Sequence, residues 1–239
     1  MHLSHIRVIL NTNGRNAKMK KNAVIDSKKN IEKIVSLLKK KYPELQTALF
    51  YKTPLQLLVA TILSAQCTDK KVNEVTKTLF KKYTSADDFA AARQVDVEQE
   101  IRQTGFFRNK AKNIIAAAQK IRNDFGGNVP DSMDKLISLP GVARKTANIV
   151  LSSAYKKAEG IAVDTHVKRL SQRLGLSTQK NPDKIERDLM ALVPKKYWLD
   201  FNYLLVNHGR DTCDAKKPLC SSCTLSSICP SAGTLKNSA

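Results

Sequence analysis

The 239-residue chain is 42% hydrophobic, enough to bury a sizeable core, and its 41 Lys and Arg against 21 Asp and Glu give a formal net charge of +20. The basic excess is spread along the chain, so the expected partner is a polyanion, with nucleic acid ahead of an acidic membrane surface. No apolar run approaches the roughly 20 residues that a membrane-spanning helix needs; the best candidate, Leu55 to Leu63, is too short, and a soluble globular protein is expected.

Residues 1–22 carry five basic residues, no acidic residue and no apolar core long enough for a secretory signal. They read as a basic disordered tail, with a start codon placed too early or an organellar presequence as alternatives, and stay outside the fold. Ile31, Ile34, Val35 and Leu38 then predict an amphipathic helix, and Val72, Val75, Leu79 and Phe80 a second. Between them, "TPLQLLVATILSAQ" places Thr53 as N-cap and Pro54 as first helical residue of a buried central helix. Ile114, Ile115, Ala118 and Ile121 continue the helical period until Gly126-Gly127 stops it.

The stretch "LPGVARKTANIVL", residues 139–151, predicts a tight turn running into a helix. Ala143, Ala147, Val150, Leu151 and Ala154 share its apolar face, with Lys145, Asn148 and Ser152 opposite. A lysine in that place is ordinarily a solvated one. Asp164 precedes the periodic run Val167, Leu170, Leu174 and takes an N-cap position. Asn181-Pro182 opens a further helix with Ile185, Leu189 and Leu192, and "YWLDFNYLLVNHG" closes the helical part at Gly209. No period-2 strand run survives, so the fold class is all-α, with no internal repeat and no linker that cuts the chain.

Four of the five cysteines, Cys213, Cys220, Cys223 and Cys229, fall within 17 residues near the C-terminus. Without a sign of secretion, four close thiols point to metal rather than to two disulfides. Only one short pair, Cys220-x-x-Cys223, is present, so the spacing leaves zinc and an iron-sulfur cluster both open.

"LPGVARKTANIVL", "VDTHV" at 163–167 and "HGRDTC" leading into the cysteine segment together resemble the endonuclease III family of helix-hairpin-helix base-excision DNA glycosylases. "LSAQCTD" at 63–69 and "GFFRNKAKNI" at 105–114 resemble further family segments, so the likeness covers about residues 28 to 230. The resemblance implies one 4Fe-4S cluster on Cys213, Cys220, Cys223 and Cys229, structural in role, with Lys216 and Lys217 projected from the loop between the first two cysteines toward DNA phosphate. It implies a six-helix domain holding the helix-hairpin-helix, placed at 47–157, and a cluster domain formed by 23–46 together with 158–239. Lys145 and Asp164 would then face each other across a DNA-binding groove.

The implied activity is a bifunctional DNA glycosylase and AP lyase that removes oxidised pyrimidines from damaged double-stranded DNA. Lys145 would form the Schiff base and Asp164 would stabilise positive charge on the sugar and assist proton transfer. An amine nucleophile must be neutral, and the first turn of a helix is where the dipole disfavours an ammonium. Gly141, Ala143 and Thr146 would bind phosphate at the hairpin, Gln66 would fill the space of the extruded nucleotide, Phe106 would wedge the opposite strand, and His166 would line the base pocket. The family pattern has a second glycine where this chain has Ala143, and a bulky aliphatic where it has Phe106; the Lys145 to Asp164 segment is one residue longer, in "AYKKAEG". For Phe106 core packing is the competing role, and Cys67 is expected as a buried thiol outside the cluster. Two alternatives remain: a monofunctional mismatch adenine glycosylase, whose family lacks the lysine, and a non-catalytic DNA-binding module, which would keep Gly141 and the basic surface but has no need for Lys145 and Asp164 together. A monomer in the bacterial cytoplasm, associated with the nucleoid and not with membrane, completes the expectation.

Overall fold

The computed structural model describes residues 30–234; the basic tail expected over 1–22 lies outside them. Among the described residues there is no strand, and no helix is long and apolar enough to cross a membrane. The helices are α1 (residues 30–41), α2 (Pro54–Leu63), α3 (Asp69–Lys82), α4 (Ala86–Ala91), α5 (Gln94–Ile101), α6 (Phe107–Phe125), α7 (Met133–Ile137), α8 (Arg144–Ala154), α9 (Thr165–Arg173), α10 (Pro182–Leu192) and α11 (Trp198–Asp211).

Local chemistry sets their ends. Thr53 accepts from the Gln56 N–H with Pro54 following it, and Asn181 accepts from the Asp183 and Lys184 N–H groups ahead of α10, so both predicted starts use a side-chain oxygen to satisfy orphan donors. Gly126 ends α6 at φ +59, a left-handed cap that glycine adopts without steric cost.

Two hydrophobic cores result, giving two helical domains. The first runs from Leu49 to Leu151 and is closed by α2 to α8, six helices of at least six residues plus the five-residue α7. Helix α2 is its centre, with every residue from Leu57 to Leu63 buried. The second core joins Ile31, Ile34, Val35 and Leu38 of α1 to α9, α10, α11 and Leu225, so the chain leaves this core after α1 and returns to it at Ile161.

Polar contacts cross between the two. Arg210 of α11 pairs with Asp69 at the head of α3 at 2.9 Å, Tyr203 of α11 bonds Ser153 of α8 at 2.5 Å, and Arg144 of α8 pairs with Glu186 of α10 at 2.9 Å. The Glu186 side chain is only 4% exposed.

Leu38 is fully buried in the second core. Leu38→Ala is expected to cost about 2–5 kcal/mol of stability by urea denaturation, the usual effect of an interior Leu→Ala cavity; a loss under ~1 kcal/mol would mean that α1 is not an integral part of that core.

Candidate functional site

Helices α7 and α8 form a hairpin around Leu139-Pro140-Gly141-Val142, closed by a bond from the Val142 N–H to the Leu139 carbonyl at 3.1 Å. Leu139 and Val142 are buried and anchor the turn, while Gly141 is exposed at φ +75. A Cβ on Gly141 would lie 2.7 Å from Cβ of Asn113, so both backbone conformation and space require glycine there. Ala143 is the N-cap of α8 in extended conformation, φ −89 and ψ 168. The sequence placed Ala143 on the apolar face of the helix; instead the residue is exposed, and any L residue adopts its extended backbone, so the alanine at the family's second glycine position is not strained.

Ala143 contributes no side-chain cap, and the first turn of α8 contains no acidic residue. No residue of α8 itself therefore offsets the positive end of its dipole, an arrangement suited to an anion. Lys145 is the second residue of this helix. It is exposed, with no ion pair to Asp164 or to any other described residue. Thr146, one position on, is half-buried.

Asn148 departs from the sequence reading. It is 3% exposed and donates to Glu186 Oε1 at 2.7 Å, while Arg144 grips the same carboxylate through Nε to Oε2 at 2.9 Å and Nη2 to Oε1 at 3.1 Å. The residues before and after Lys145 on one face of α8 are thus bolted to α10. Gly160 packs on the same carboxylate: a Cβ there would collide with Glu186 Oε1 and come within 2.5 Å of Asn148 Oδ1. Gly160 leads through the buried Ile161, Ala162 and Val163 to Asp164, so Glu186 fixes both segments that carry the candidate pair. The longer loop before it is also tied down, Lys157 to Asp131 and the Glu159 carboxylate to the Met133 N–H at 2.8 Å.

Asp164 caps α9 as expected, accepting from the Val167 N–H at 2.8 Å through Oδ1, and is half-buried. His166, two residues on in the first turn of α9, is half-buried, with Nδ1 3.2 Å from the Arg169 guanidinium. Burial, with the Arg169 and Arg210 charges in the same direction and Asp164 opposing, lowers its pKa. Gly209 of α11 makes room for it: a Cβ there would stand 2.8 Å from His166 Nδ1.

Gln66 and Phe106 are both exposed and both left-handed, at φ 53 and φ 47. Among the described residues only Lys156 otherwise joins them as a non-glycine at positive φ, and conformations of this cost persist where the surroundings impose them. Phe106 is 64% exposed, which removes the core-packing role weighed for it. Cys67 is half-buried, not buried, at the rim of the first core.

The four C-terminal cysteines are unpaired, and all line one cavity walled by Leu170, Leu174 and Leu225 with Arg173 and His208. Arg173 donates to Cys213 Sγ at 3.2 Å, the Leu225 N–H approaches Cys223 Sγ at 3.4 Å, and His208 Nε2 lies 3.4 Å from the same sulfur. Burial pushes the pKa of His208 down to about 4 and pushes the Cys223 and Cys229 thiols up. The loop between the first two cysteines is preformed by Asp214, whose Oδ1 accepts from the Lys216 and Lys217 N–H groups at 2.7 and 3.0 Å; those two donors hold its carboxyl down to about 2. Arg173 binds the carbonyls of Asp214 and Ala215, leaving Lys216 and Lys217 exposed at the loop tip.

The hairpin and the head of α8 belong to the first core, and Asp164 opens α9 of the second. Residues 59–195 match the model of the HhH-GPD superfamily of base excision DNA repair proteins. Endonuclease III of Synechocystis sp. is 54% identical over 205 residues, 86% of this chain and 94% of that protein. Two solved structures, a non-covalent endonuclease III-DNA complex and a trapped endonuclease III-DNA covalent intermediate, are each 40% identical with TM-score 0.82 over 87% of this chain and 97% of theirs. The chain belongs to the endonuclease III family within that superfamily. Its activity is that of a bifunctional DNA glycosylase and AP lyase of base excision repair, which sets aside the adenine-glycosylase and non-catalytic alternatives.

Glu186, Arg144 and Asn148 were missed as a unit by the sequence; the only available signal was a polar pair at i and i+4 on α8. Glu186→Gln is expected to cost about 1–3 kcal/mol by thermal or urea unfolding, since Arg144 loses its charge partner but is itself part-exposed. Turnover on damaged duplex should fall further than DNA affinity does; an equal fall in both would refute a positioning effect. At the hairpin, Gly141→Ala is expected to destabilise by about 1–3 kcal/mol through its strained φ, whereas Ala143→Gly should change stability by less than ~1 kcal/mol. The reverse ranking would contradict the turn geometry.

Proposed function

We propose that this chain removes oxidised pyrimidines from duplex DNA with Lys145 as nucleophile and Asp164 as its electrostatic and proton-transfer partner. The observation that carries the reading is the exposed Lys145 in the acid-free, uncapped first turn of α8, flanked by two residues fixed on Glu186. The neutral amine's lone pair attacks the sugar C1′, the C1′–N bond breaks, and its electron pair leaves with the base, which takes up a proton. Ring opening gives an iminium at Lys145; loss of a C2′ proton then expels the 3′ phosphate by β-elimination. Asp164 supplies a negative charge for the cationic sugar while its Oδ1 keeps the cap.

Gly141, Ala143 and Thr146 bind phosphate at the hairpin, and Lys216 and Lys217 bind it from the cysteine loop. Gln66 enters the space of the flipped nucleotide, Phe106 stacks against the opposite strand, and His166 lines the base pocket. The exposure of Gln66, Phe106, Lys216 and Lys217 supports these roles. Cys213, Cys220, Cys223 and Cys229 would hold one 4Fe-4S cluster, a donor set of four unpaired thiols in an apolar cavity being suited to it. Bound there, the cluster would tie the C-terminal loops to α9 and α11. We divide the domains at 47–157 and at 23–46 with 158–239, a division supported by the gap between Leu151, last of the first core, and Ile161, where the second resumes.

Borohydride treatment of the protein on duplex DNA containing an abasic site or an oxidised thymine should give a covalent adduct, and Lys145→Ala should abolish it; an adduct that survives the substitution would place the Schiff base elsewhere. If six to ten phosphates are contacted, affinity should drop about 10³- to 10⁵-fold between 50 and 200 mM salt. A flat salt response would sink the phosphate model.

A further inference from the structure

Lys110 is a basic residue that the chemistry above does not use, and it is 5% exposed. Its Nζ donates at 2.8 Å to the Leu63 carbonyl at the end of α2 and at 2.8 Å to the Thr104 carbonyl before α6. Its backbone N–H donates to the Phe106 carbonyl at 3.1 Å. Neither carbonyl belongs to Lys110's own helix, and no carboxylate compensates the charge among the described residues.

The two acceptors have a common property. Leu63 is three residues before Gln66, in the turn closed by the Cys67 N–H to Ser64 carbonyl bond, and Thr104 is two residues before Phe106. Gln66 and Phe106 are left-handed non-glycines on separate loops, more than 35 residues apart in sequence. A buried ammonium is costly unless its donors are satisfied, and bonds to a charged donor are stronger than neutral ones. The lysine therefore resists any separation of the two loops that would break either bond.

We infer that Lys110 is a positioning residue which clamps the Gln66 and Phe106 loops into one rigid unit, so that filling the helix gap and wedging the opposite strand happen as a single coupled step of base extrusion. The inference rests on the DNA-probing roles proposed for Gln66 and Phe106. The Lys110 side chain does not touch DNA in this scheme; it acts through the two carbonyls. Burial holds its pKa below the ordinary lysine value, with Cys67 opposing, and the two carbonyl acceptors account for why it stays in place.

The test compares Lys110→Met with the parent protein on two substrates, at a temperature where circular dichroism shows both folded. Single-turnover excision of an oxidised thymine from duplex DNA should fall about 10- to 100-fold, as expected when charge-assisted bonds are lost and reacting groups shift by a fraction of an ångström. Borohydride trapping on an abasic site in single-stranded DNA, which has neither a base to extrude nor an opposite strand, should stay within about 3-fold, a difference of less than 1 kcal/mol. Equal losses on both substrates, or no loss on duplex, would overturn the clamp. A second measurement does not require the variant to fold: in the parent background, Gln66→Ala and Phe106→Ala should be non-additive in 2-aminopurine flipping, and additivity would overturn the coupling. If both single variants excise and flip like the parent, the roles given to Gln66 and Phe106 fail first, and the failure is theirs rather than the lysine's.

Discussion

The carboxylate of Glu186 is the constraint on which the arrangement of the active groups depends. It is buried, it sits on α10 of the second core, and it is held by two side chains of a helix that belongs to the first. An isolated buried carboxylate is strongly unfavourable, so its contacts are obligatory rather than optional. Because Arg144 and Asn148 sit on either side of Lys145, and Gly160 presses its backbone on the same group, satisfying Glu186 sets the rotation of α8 and the entry of residues 160–163 into α9 together. The position of the lysine relative to the aspartate follows from one hydrogen-bonding requirement.

Two neighbouring helix heads are handled in opposite ways. Helix α9 begins with Asp164 accepting its own backbone donor, whereas α8 begins with an alanine that accepts nothing. The first puts a carboxylate on its own backbone donor; the second leaves the helix's positive end and its N–H groups without a side-chain acceptor, the kind of helix head that suits an anion. The fold thus generates a charge gradient across the site from backbone geometry, before any long side chain is counted.

Much of this was legible in residue order. The caps at Thr53, Asp164 and Asn181 and the Gly126 stop follow from side-chain chemistry confined to a few residues, and the helical period located the buried faces of α1, α3 and α6. What periodicity could not see were polar groups buried by tertiary contact. Asn148 was placed on the solvent side because it lies opposite the apolar stripe, Glu186 stands beside Ile185 like any surface glutamate, and Lys110 is one of two lysines in "FRNKAKNI". Each of them is buried against at least one partner 38 or more residues away. Ala143 was misread for a related reason, since only the turn geometry shows that residue 143 precedes the helix rather than starting it. Phe106 could not be assigned to core or surface until its left-handed cap was known.

The return of the chain to α1 has a consequence for biosynthesis. The first core is continuous from Leu49 to Leu151 and can close as soon as that stretch has left the ribosome. Helix α1, made before it, must wait for Phe201, Leu204 and Leu205 to cover its apolar face, a delay on the order of 10–30 s at ordinary translation rates. The last cysteine comes later still. A nascent chain therefore acquires the α7–α8 hairpin well before it acquires Asp164 in a settled position, and α1 is the surface on which a chaperone would have its longest opportunity.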